Sequence, residues 1–330
     1  MTTQVIDTRP GVGRVLDAGP DLVVGGTPRR RRSWLLSLRR DWRLYTMAIL
    51  PVAQLILFAY VPMFGIVIAF RRFRPGGSLI GDEFVGWHFF QMAMNSADFW
   101  RVFRNTVILG GLWFVIGFPL PIILALLLNE VRNSKYKRFV QTVTYLPHFL
   151  SIVIVSGIVL QLTTATGPIN QIVEFFGGDR ILFMQQAAWF RPIWIISEAW
   201  QTVGWGTILY LAALTTIDDG LYEASRIDGA NRWQQTWHVT LPGIRPTIVT
   251  LMVLNVGTFM AVGFEKVLLL QNPLNMSTGD VISTFLFRVG IAQAQFSFAT
   301  AVGLFQSVIG LILILSTNFI SKKLVGSALW

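Results

Sequence analysis

Six apolar runs dominate the sequence, and each is long enough to cross a lipid bilayer, which takes about 20 residues of helix. They cover residues 45–70, 105–129, 139–166, 192–217, 246–270 and 297–320. Only 13% of the residues are charged, against about 25% in a soluble domain, so most of the chain cannot face water. Because a segment in lipid must satisfy its own backbone hydrogen bonds, we expect an all-α polytopic membrane protein with six transmembrane helices.

The basic residues are divided unevenly between the segments that join these runs. Of the 27 Lys and Arg residues, 18 lie in segments 1–44, 130–138, 218–245 and 321–330, whereas 8 lie in the alternate segments. Since basic loops remain in the cytoplasm, both termini are predicted to be cytoplasmic. The first external segment, 71–104, is itself rich in arginine, which weakens the prediction of orientation. We interpret these arginines as snorkelling to the headgroups. They are Arg71, Arg72, Arg74, Arg101 and Arg104.

The same features bound the domain organisation and exclude some chemistry. Residues 1–34 are predicted to be a disordered basic cytoplasmic tail, and residues 35–330 a single six-span domain without an internal repeat.

The net charge of +10 does not indicate nucleic-acid binding, because the basic residues flank apolar runs. There is no cysteine and the three histidines are isolated, so no metal site is expected. Prolines inside the runs predict kinks; they are Pro51, Pro62, Pro119, Pro121 and Pro147.

A polar hairpin is predicted in the cytoplasmic loop 218–245, around the stretch EASRIDGANRWQQTWHVTLPGIRP. Asp218 is placed to cap a helix that begins at Asp219. Gly229 can adopt positive φ and is the natural turn residue. Asn231 can cap a second helix, 232–240, which Pro242 is expected to end. On that helix Trp233, Trp237 and Thr240 are predicted to share one face. The hairpin is either a connecting loop or a docking element for a cytoplasmic partner.

The hairpin resembles the EAA loop of ABC importer permeases in Glu223-Ala224-Ser225, Gly229 and Leu241-Pro242. Three longer stretches and the C-terminal Leu-Trp resemble the polysaccharide-type permeases of the sugar importer group, and the resemblance covers about residues 35–330. These stretches are ILALLLNEVRNSKYKRFVQTVTYLPHFLS, VGWGTILYLAALTTID and FATAVGLFQSVIGLIL. The sequence departs from the usual pattern at Ser225, where alanine is usual, and at Asp219-Gly220, where Pro-Glu is common.

This resemblance implies the type I ABC importer permease fold and a set of residues that couple the permease to its ATPase. By matching the motif, those residues are Glu223, Ala224, Ser225, Asp228, Gly229, Leu241 and Pro242. The implied protein is a subunit in a bacterial plasma membrane that imports a sugar or oligosaccharide. Its implied partners are two ATP-binding-cassette ATPase subunits, a second permease that forms a heterodimer with it, and an extracellular sugar-binding protein.

The chain itself is not expected to be an enzyme or to hold a cofactor. It contains no G-x-x-x-x-G-K-[ST] phosphate loop, so ATP and Mg are expected on the partner ATPase. The alternatives from other classes are an ion- or proton-coupled secondary transporter and an intramembrane enzyme. The first usually has inverted repeats and midplane carboxylates, and the second needs a nucleophile–base pair such as G-x-S-x-G plus His. The sequence shows none of these features, and it does not indicate which saccharide moves.

Polar and aromatic residues within the runs are the candidates for a substrate pathway, because sugars need hydroxyl partners and flat faces. They are Glu198, Gln201, Trp205, Asn255, Phe259 and Gln306. Glu198 is also open to the interpretation of a merely hydrated carboxylate, and Glu265 and Lys266 to snorkelling at the external end of their run. Gly204 and Gly206 are predicted to be helix-packing positions, and His148 is predicted to make a hydrogen bond at the kink of Pro147.

Overall fold

A computed structural model describes residues 42–78 and 80–325, so the predicted tail and the C-terminal Leu-Trp lie outside the described residues. The chain forms two compact units, residues 1–61 and 62–330. The described part of the first unit consists of helix α1 (Trp42–Leu55) and a π-helical turn (Ile56–Tyr60). A three-residue helical piece, Val61–Met63, lies at the boundary.

In residues 64–78 and 80–325 the regular structure is helical apart from one short antiparallel ribbon, which was not predicted from the sequence. The 3-10 turn Phe64–Phe70 leads into this ribbon, formed by β1 (Arg71–Arg72) and β2 (Glu83–Phe84). The helices that follow are, in chain order, α2 (His88–Met94), α3 (Ala97–Gly117), α4 (Pro119–Glu130), α5 (Ser134–Tyr145), α6 (Ile152–Leu162), α7 (Pro168–Phe175), α8 (Ala187–Leu214), α9 (Asp219–Ile227), α10 (Arg232–Gln235), α11 (Leu241–Gly257), α12 (Phe264–Leu270), α13 (Met276–Gly279), α14 (Ile282–Leu286) and α15 (Phe296–Val325).

Four helical stretches of the described chain are long and apolar enough to cross a membrane. They are Trp42–Phe70, Ala97–Glu130, Arg232–Gly257 and Phe296–Lys323. A bent pair, Ser134–Phe149 with Ile152–Leu162, makes a fifth if it counts as one span. The predicted run 192–217 lies largely in α8, a helix of 28 residues. It does not meet the same apolarity criterion, because Glu198, Gln201 and nearby small and polar residues dilute its apolar side chains.

Two of the predicted runs are broken in the structure, the first of them next to Pro147, where the sequence predicted a kink. Run 139–166 bends by 102° between Phe149 and Ile152. Pro147 lies in the 3-10 turn at this break, and the Ser151 hydroxyl then caps α6 by accepting a hydrogen bond from Ile154 N. Run 246–270 is likewise interrupted, since α11 ends at Gly257 and α12 begins at Phe264. These breaks matter because irregular backbone at membrane depth occurs where it is buried in protein or lines a cavity.

Helix α8 lies at the centre of the second unit and packs against α3, α4, α5 and α11. Two glycines allow its close approach to neighbouring helices. A Cβ at Gly204 would stand 2.1 Å from the carbonyl oxygen of Thr144 in α5, and one at Gly206 would stand 3.1 Å from Cγ of Pro121 in α4. The predicted packing role of both glycines is therefore confirmed.

Candidate functional site

A cavity of about 240 Å³ opens between α3, α8 and the break that follows α11. Its wall on α3 lies near the middle of the continuous stretch Ala97–Glu130, which is about 50 Å long at 1.5 Å per residue. The cavity is thus placed at mid-depth. Its lining residues are Gly110, Trp113, Phe114, Phe118, Trp194, Glu198, Asn255, Thr258, Phe259, Ala261, Val262 and Gly263.

One ion pair forms the charged part of this wall. Nζ of Lys266 lies 2.6 Å from Oε2 of Glu198, although the two residues are 68 positions apart in the chain. The Lys266 side chain is fully buried, whereas that of Glu198 is 21% exposed. The snorkelling interpretation of Lys266 is therefore wrong: Glu198 compensates its charge inside the protein. Glu265, the next residue along α12, is exposed.

Aromatic rings supply most of the remaining wall. The rings of Trp113 and Trp194 meet edge to face with centroids 5.9 Å apart. Nε1 of Trp194 is buried and has no hydrogen-bond partner in the described part of the chain. Neither tryptophan was a candidate from the sequence, because aromatic residues in an apolar run look like lipid-facing or core residues. The available signal was the spacing of Trp194, four residues before Glu198 on the same helix face.

The cavity brings together three of the six pathway candidates: Glu198, Asn255 and Phe259. The other three lie outside its lining. Nε2 of Gln201 lies 3.5 Å from the Leu150 carbonyl oxygen, at the end of the break before α6. Nε2 of Gln306 donates to the Met260 carbonyl oxygen at 2.6 Å.

Trp205 makes a contact that the sequence did not predict. Its ring stacks on His148 with centroids 4.5 Å apart and an interplanar angle of 5°. Phe149 contacts the same indole edge to face. His148 thus joins the broken run 139–166 to α8 by ring stacking at the kink.

The predicted hairpin is present at the far end of the same helix set. Oδ1 of Asp218 caps α9 by accepting from Gly220 N at 2.9 Å. Gly229 has φ +81°. Asn231 caps α10 in a capping box with Gln234, in which each side chain accepts a backbone hydrogen bond from the other residue. The predicted caps and the positive φ of the turn glycine are confirmed.

The second half of the hairpin differs from the prediction. Pro242 does not end the helix, because α10, a π-helical turn (Thr236–Thr240) and α11 form one continuous stretch. The proline is the second residue of α11, directly after the π-helical turn. The wider π turn also rotates Thr240 away from the exposed tryptophans of this segment, Trp233 and Trp237. Thr240 is instead buried, and its hydroxyl lies 3.0 Å from the Tyr222 hydroxyl of α9.

One ion pair fastens the hairpin to the transmembrane helices. Nη1 of Arg232 lies 2.5 Å from Oε2 of Glu130, the last residue of α4. Through α10 the hairpin is also continuous with α11, which borders the cavity. A displacement of the hairpin would therefore reach α4 and α11 directly. This arrangement favours the docking interpretation of the hairpin over that of a passive connection.

The residues that match the EAA motif differ in how far they are exposed. Glu223, Ala224, Asp228, Gly229 and Pro242 are exposed, whereas Ser225 and Leu241 are partly buried. The Ser225 hydroxyl donates to the Tyr222 carbonyl oxygen at 2.8 Å, so the serine is accommodated within α9. Ile227, at the end of α9, is 88% exposed.

We expect substitutions at Gly229 to disorder the hairpin in the order Asn, Ala, Val, with valine the most disruptive. An added Cβ at this glycine would meet nothing within 4 Å, so only the positive φ opposes a side chain. Asparagine tolerates this conformation, alanine loses about 1 kcal/mol, and a β-branched residue loses more. The measurement is the rate of limited proteolysis within residues 218–245 of the purified protein. Equal cleavage rates for the alanine and valine variants would contradict the expectation.

These features define a class: a polytopic membrane protein with a mid-depth cavity and an ordered polar hairpin at one end. A family profile described as "Binding-protein-dependent transport system inner membrane component" matches residues 117–326. The match covers more than half of the chain, and the chain belongs to this family. It is therefore an inner membrane component of a transport system that depends on a binding protein, and the secondary-transporter alternative is not favoured.

Individual relatives extend the similarity towards the N-terminus. Protein LplB of Bacillus subtilis (strain 168) is 45% identical over 292 residues, which are 88% of this chain and 92% of that protein. The polygalacturonan/rhamnogalacturonan transport system permease protein YteP of the same organism is 43% identical over 295 residues, 89% of this chain and 92% of that protein.

A solved structure confirms the type I importer fold that the resemblance implied. It is the crystal structure of a bacterial ABC transporter involved in the import of the acidic polysaccharide alginate. One of its chains is 40% identical, with a TM-score of 0.82, over 88% of this chain and 99% of that chain. A second structure shows the bacterial alginate transporter in complex with an alginate pentasaccharide-bound periplasmic protein, with a TM-score of 0.83 and 40% identity over 90% and 99% of the two chains.

Proposed function

We propose that residues 35–330 form one permease domain that imports an oligosaccharide and is driven by ATP hydrolysis on separate ATPase subunits. The observation that carries this proposal is the placement of the cavity and the hairpin on the same helices. Relatives named for polygalacturonan and rhamnogalacturonan transport and for alginate import support a carbohydrate substrate. The remaining partners are a second permease and the binding protein, which delivers the sugar from outside.

The mid-depth cavity has the chemistry that a sugar requires. Trp113, Phe114 and Phe118 offer flat apolar faces for ring stacking. Glu198, Asn255 and Thr258 offer acceptors and donors for hydroxyl groups. At about 240 Å³ the cavity holds a small part of a chain, so a longer oligosaccharide would pass through it stepwise.

The hairpin couples this cavity to ATP hydrolysis in our proposal. Its motif residues dock on the ATPase subunit, with Glu223, Asp228 and Ile227 as the exposed contact groups. Closure of the ATPase dimer then moves α9 together with the helix that contains α10, since the Tyr222–Thr240 contact joins α9 to the π-helical turn that continues α10. The movement reaches α4 through the Glu130–Arg232 ion pair and α11 through the continuous helix.

We expect Glu223→Lys to abolish coupled transport while the protein remains inserted and folded. Glu223 is exposed on α9, so charge reversal leaves the fold intact but places a repelled charge in a close protein contact, at a cost of several kcal/mol. The measurement is ATP-dependent oligosaccharide uptake into vesicles that contain the assembled complex, together with co-purification of the ATPase. Asp179→Lys is the matched control, because Asp179 is also exposed but lies in the predicted external segment 167–191. Wild-type uptake by the Glu223 variant would remove this residue from the coupling surface.

A further inference from the structure

The segment that joins α11 to α12 forms one side of the mid-depth cavity. We call residues 258–263 the cavity break; α11 ends at Gly257 before it, and α12 begins at Phe264 after it. Five of its six residues line the cavity: Thr258, Phe259, Ala261, Val262 and Gly263. Because these residues do not belong to a helix, the neighbouring helices decide where this side of the cavity lies.

One contact ties the cavity break to α15. Met260, the sixth residue of the break, does not line the cavity and is buried in a hydrophobic cluster that includes Val302 of α15. Nε2 of Gln306, one turn further along α15, donates to the Met260 carbonyl oxygen at 2.6 Å. A carbonyl group in an interrupted membrane helix needs a partner from outside its own helix, and Gln306 supplies one. This glutamine was predicted to lie on the substrate pathway, but it reaches the cavity only through the break.

A second contact brings the cavity break against α3. A Cβ at Gly110 would stand 2.6 Å from the Phe259 carbonyl oxygen and 3.4 Å from Cγ2 of Val262. A backbone carbonyl cannot rotate away from a side chain, so only glycine allows the break to come this close to α3. The adjacent Gly111 has no such restriction, since an added Cβ there would meet only Cζ of Phe259, at 4.0 Å.

The two contacts act on consecutive carbonyl groups of the cavity break. Phe259 presents its carbonyl oxygen to α3, and Met260 presents its own to α15. A side chain at Gly110 would therefore push the break away from α3 and widen the cavity between them. Loss of the Gln306 donor would release the break from α15 and allow it to take up several positions. Both residues thus act on the width of the cavity through the break.

We propose that Gly110 and Gln306 are positioning residues that set the width of the cavity, and thereby the size of the sugar unit that the protein accepts. The inference rests on the proposed function, because it takes the cavity as the path of the sugar. The volume of about 240 Å³ lies below the range of about 300–1,000 Å³ that is common for small-molecule sites. An unsubstituted chain can pass through such a space one unit at a time, whereas a unit with an added substituent needs a wider one.

The first test measures the width without a transported substrate. The chain contains no cysteine, so Ala261→Cys introduces a single thiol at an exposed position of the cavity wall. The complete complex is treated with two methanethiosulfonate reagents, one carrying an ethylammonium group and one carrying biotin. Labelling of this chain is followed by mass, and each rate is divided by the rate of the same reagent with free cysteine. We expect the small reagent to react at least about tenfold faster, because thiol exchange depends on access.

The positioning variants are then made in the Ala261→Cys background. Gly110→Ala and Gln306→Met should reduce the ratio of the two rates to about threefold or less. Methionine keeps the length of glutamine but cannot donate, so Gln306→Met is expected to fold even where Gly110→Ala does not. The matched controls are Gly111→Ala and Ser307→Ala, which should keep the ratio unchanged. Ser307 is exposed, and its hydroxyl donates to the Gly303 carbonyl oxygen of its own helix.

The second test measures the size limit by transport. The complete complex with its binding protein imports trigalacturonic acid or its O-acetylated form into vesicles; the acetyl groups add bulk and leave charge and chain length unchanged. For the wild type we expect kcat/KM of the acetylated probe to be at least about fivefold lower. In Gly110→Ala and Gln306→Met the difference should fall below about twofold. The same binding protein serves every variant, so its own preference cancels in the comparison.

Three outcomes would overturn the inference. The first is a wild-type ratio of labelling rates in both positioning variants; lower melting temperatures with an unchanged ratio would make the two residues structural only. The second is a reduced labelling ratio in variants that still discriminate against the acetylated probe as the wild type does. The third is a wild type that imports both probes equally well. In each case, uptake of trigalacturonic acid by the wild type leaves the proposed function intact, whereas a wild type without ATP-dependent uptake of either probe would refute the proposed function together with the size limit.

Discussion

Replacement of Gly204 by alanine should prevent α8 from packing against α5 and leave little folded protein. The new Cβ would stand 2.1 Å from the Thr144 carbonyl oxygen and 2.4 Å from its carbonyl carbon. Backbone atoms cannot rotate away as a side chain can, so one of the two helices must shift. We expect the free energy of unfolding to fall by about 3 kcal/mol or more, which is the upper end of the range for overpacked cores. The measurement is the yield and melting temperature of the purified protein.

Gly310→Ala is the matched control for this prediction. Gly310 lies in α15, another helix of the second unit, and an added Cβ there would meet nothing within 4 Å. Alanine is the better helix former by about 1 kcal/mol, so this variant should be as stable as the wild type or more stable. If Gly204→Ala also melted at the wild-type temperature, α5 and α8 would not approach each other as closely as the structure shows.

Local signals in the sequence were sufficient to predict the first half of the hairpin. Asp218, Gly229 and Asn231 act within three residues of their own positions, as two helix caps and a turn residue, so their effect does not depend on the rest of the fold. The π-helical turn Thr236–Thr240 could not be predicted in this way. It is fixed by contacts such as that between Tyr222 and Thr240, which are 18 residues apart.

The prolines also show that the effect of a residue on a helix depends on its neighbours. Pro51 and Pro246 lie inside continuous helices, whereas Pro147 lies at a bend of 102°. A proline removes one hydrogen bond in each case, and the neighbouring residues decide whether the helix continues. After Pro147 the Ser151 hydroxyl caps a new helix and stabilises the break. The predicted kink is therefore confirmed at Pro147, whereas at Pro51 the helix continues.

The cavity was predicted only in part, because its residues come from distant parts of the chain. Glu198, Asn255 and Phe259 stood out as polar or aromatic groups within apolar runs, and all three line the cavity. Gln201 has the same sequence signal but packs against the break at Leu150. The sequence indicated which residue types are costly in a membrane, and the packing of α8 decided which of them face the cavity.

The ion pair between Glu198 and Lys266 allows a prediction that separates folding from transport. Lys266→Met should destabilise the protein by about 3–5 kcal/mol, because it leaves the Glu198 carboxylate uncompensated in the cavity wall. The double variant Glu198→Gln with Lys266→Met should recover most of this loss, since neither charge remains. Melting temperatures of the two purified variants and the wild type measure both effects. A single variant as stable as the double variant would show that water, and not Lys266, compensates Glu198.

Transport by the double variant then decides what the carboxylate does. Glutamine retains the shape of Glu198 and one of its acceptors but lacks the charge, and methionine retains the bulk of Lys266. If the ion pair only holds α8 to α12, the stable double variant should import sugar at the wild-type rate. If Glu198 accepts hydrogen bonds from sugar hydroxyls in the cavity, uptake by the double variant should fall about tenfold although its melting temperature stays close to that of the wild type. A tenfold fall corresponds to the loss of one charge-assisted hydrogen bond. We expect the second result, because the Glu198 side chain is 21% exposed and lines the cavity while Lys266 is fully buried behind it.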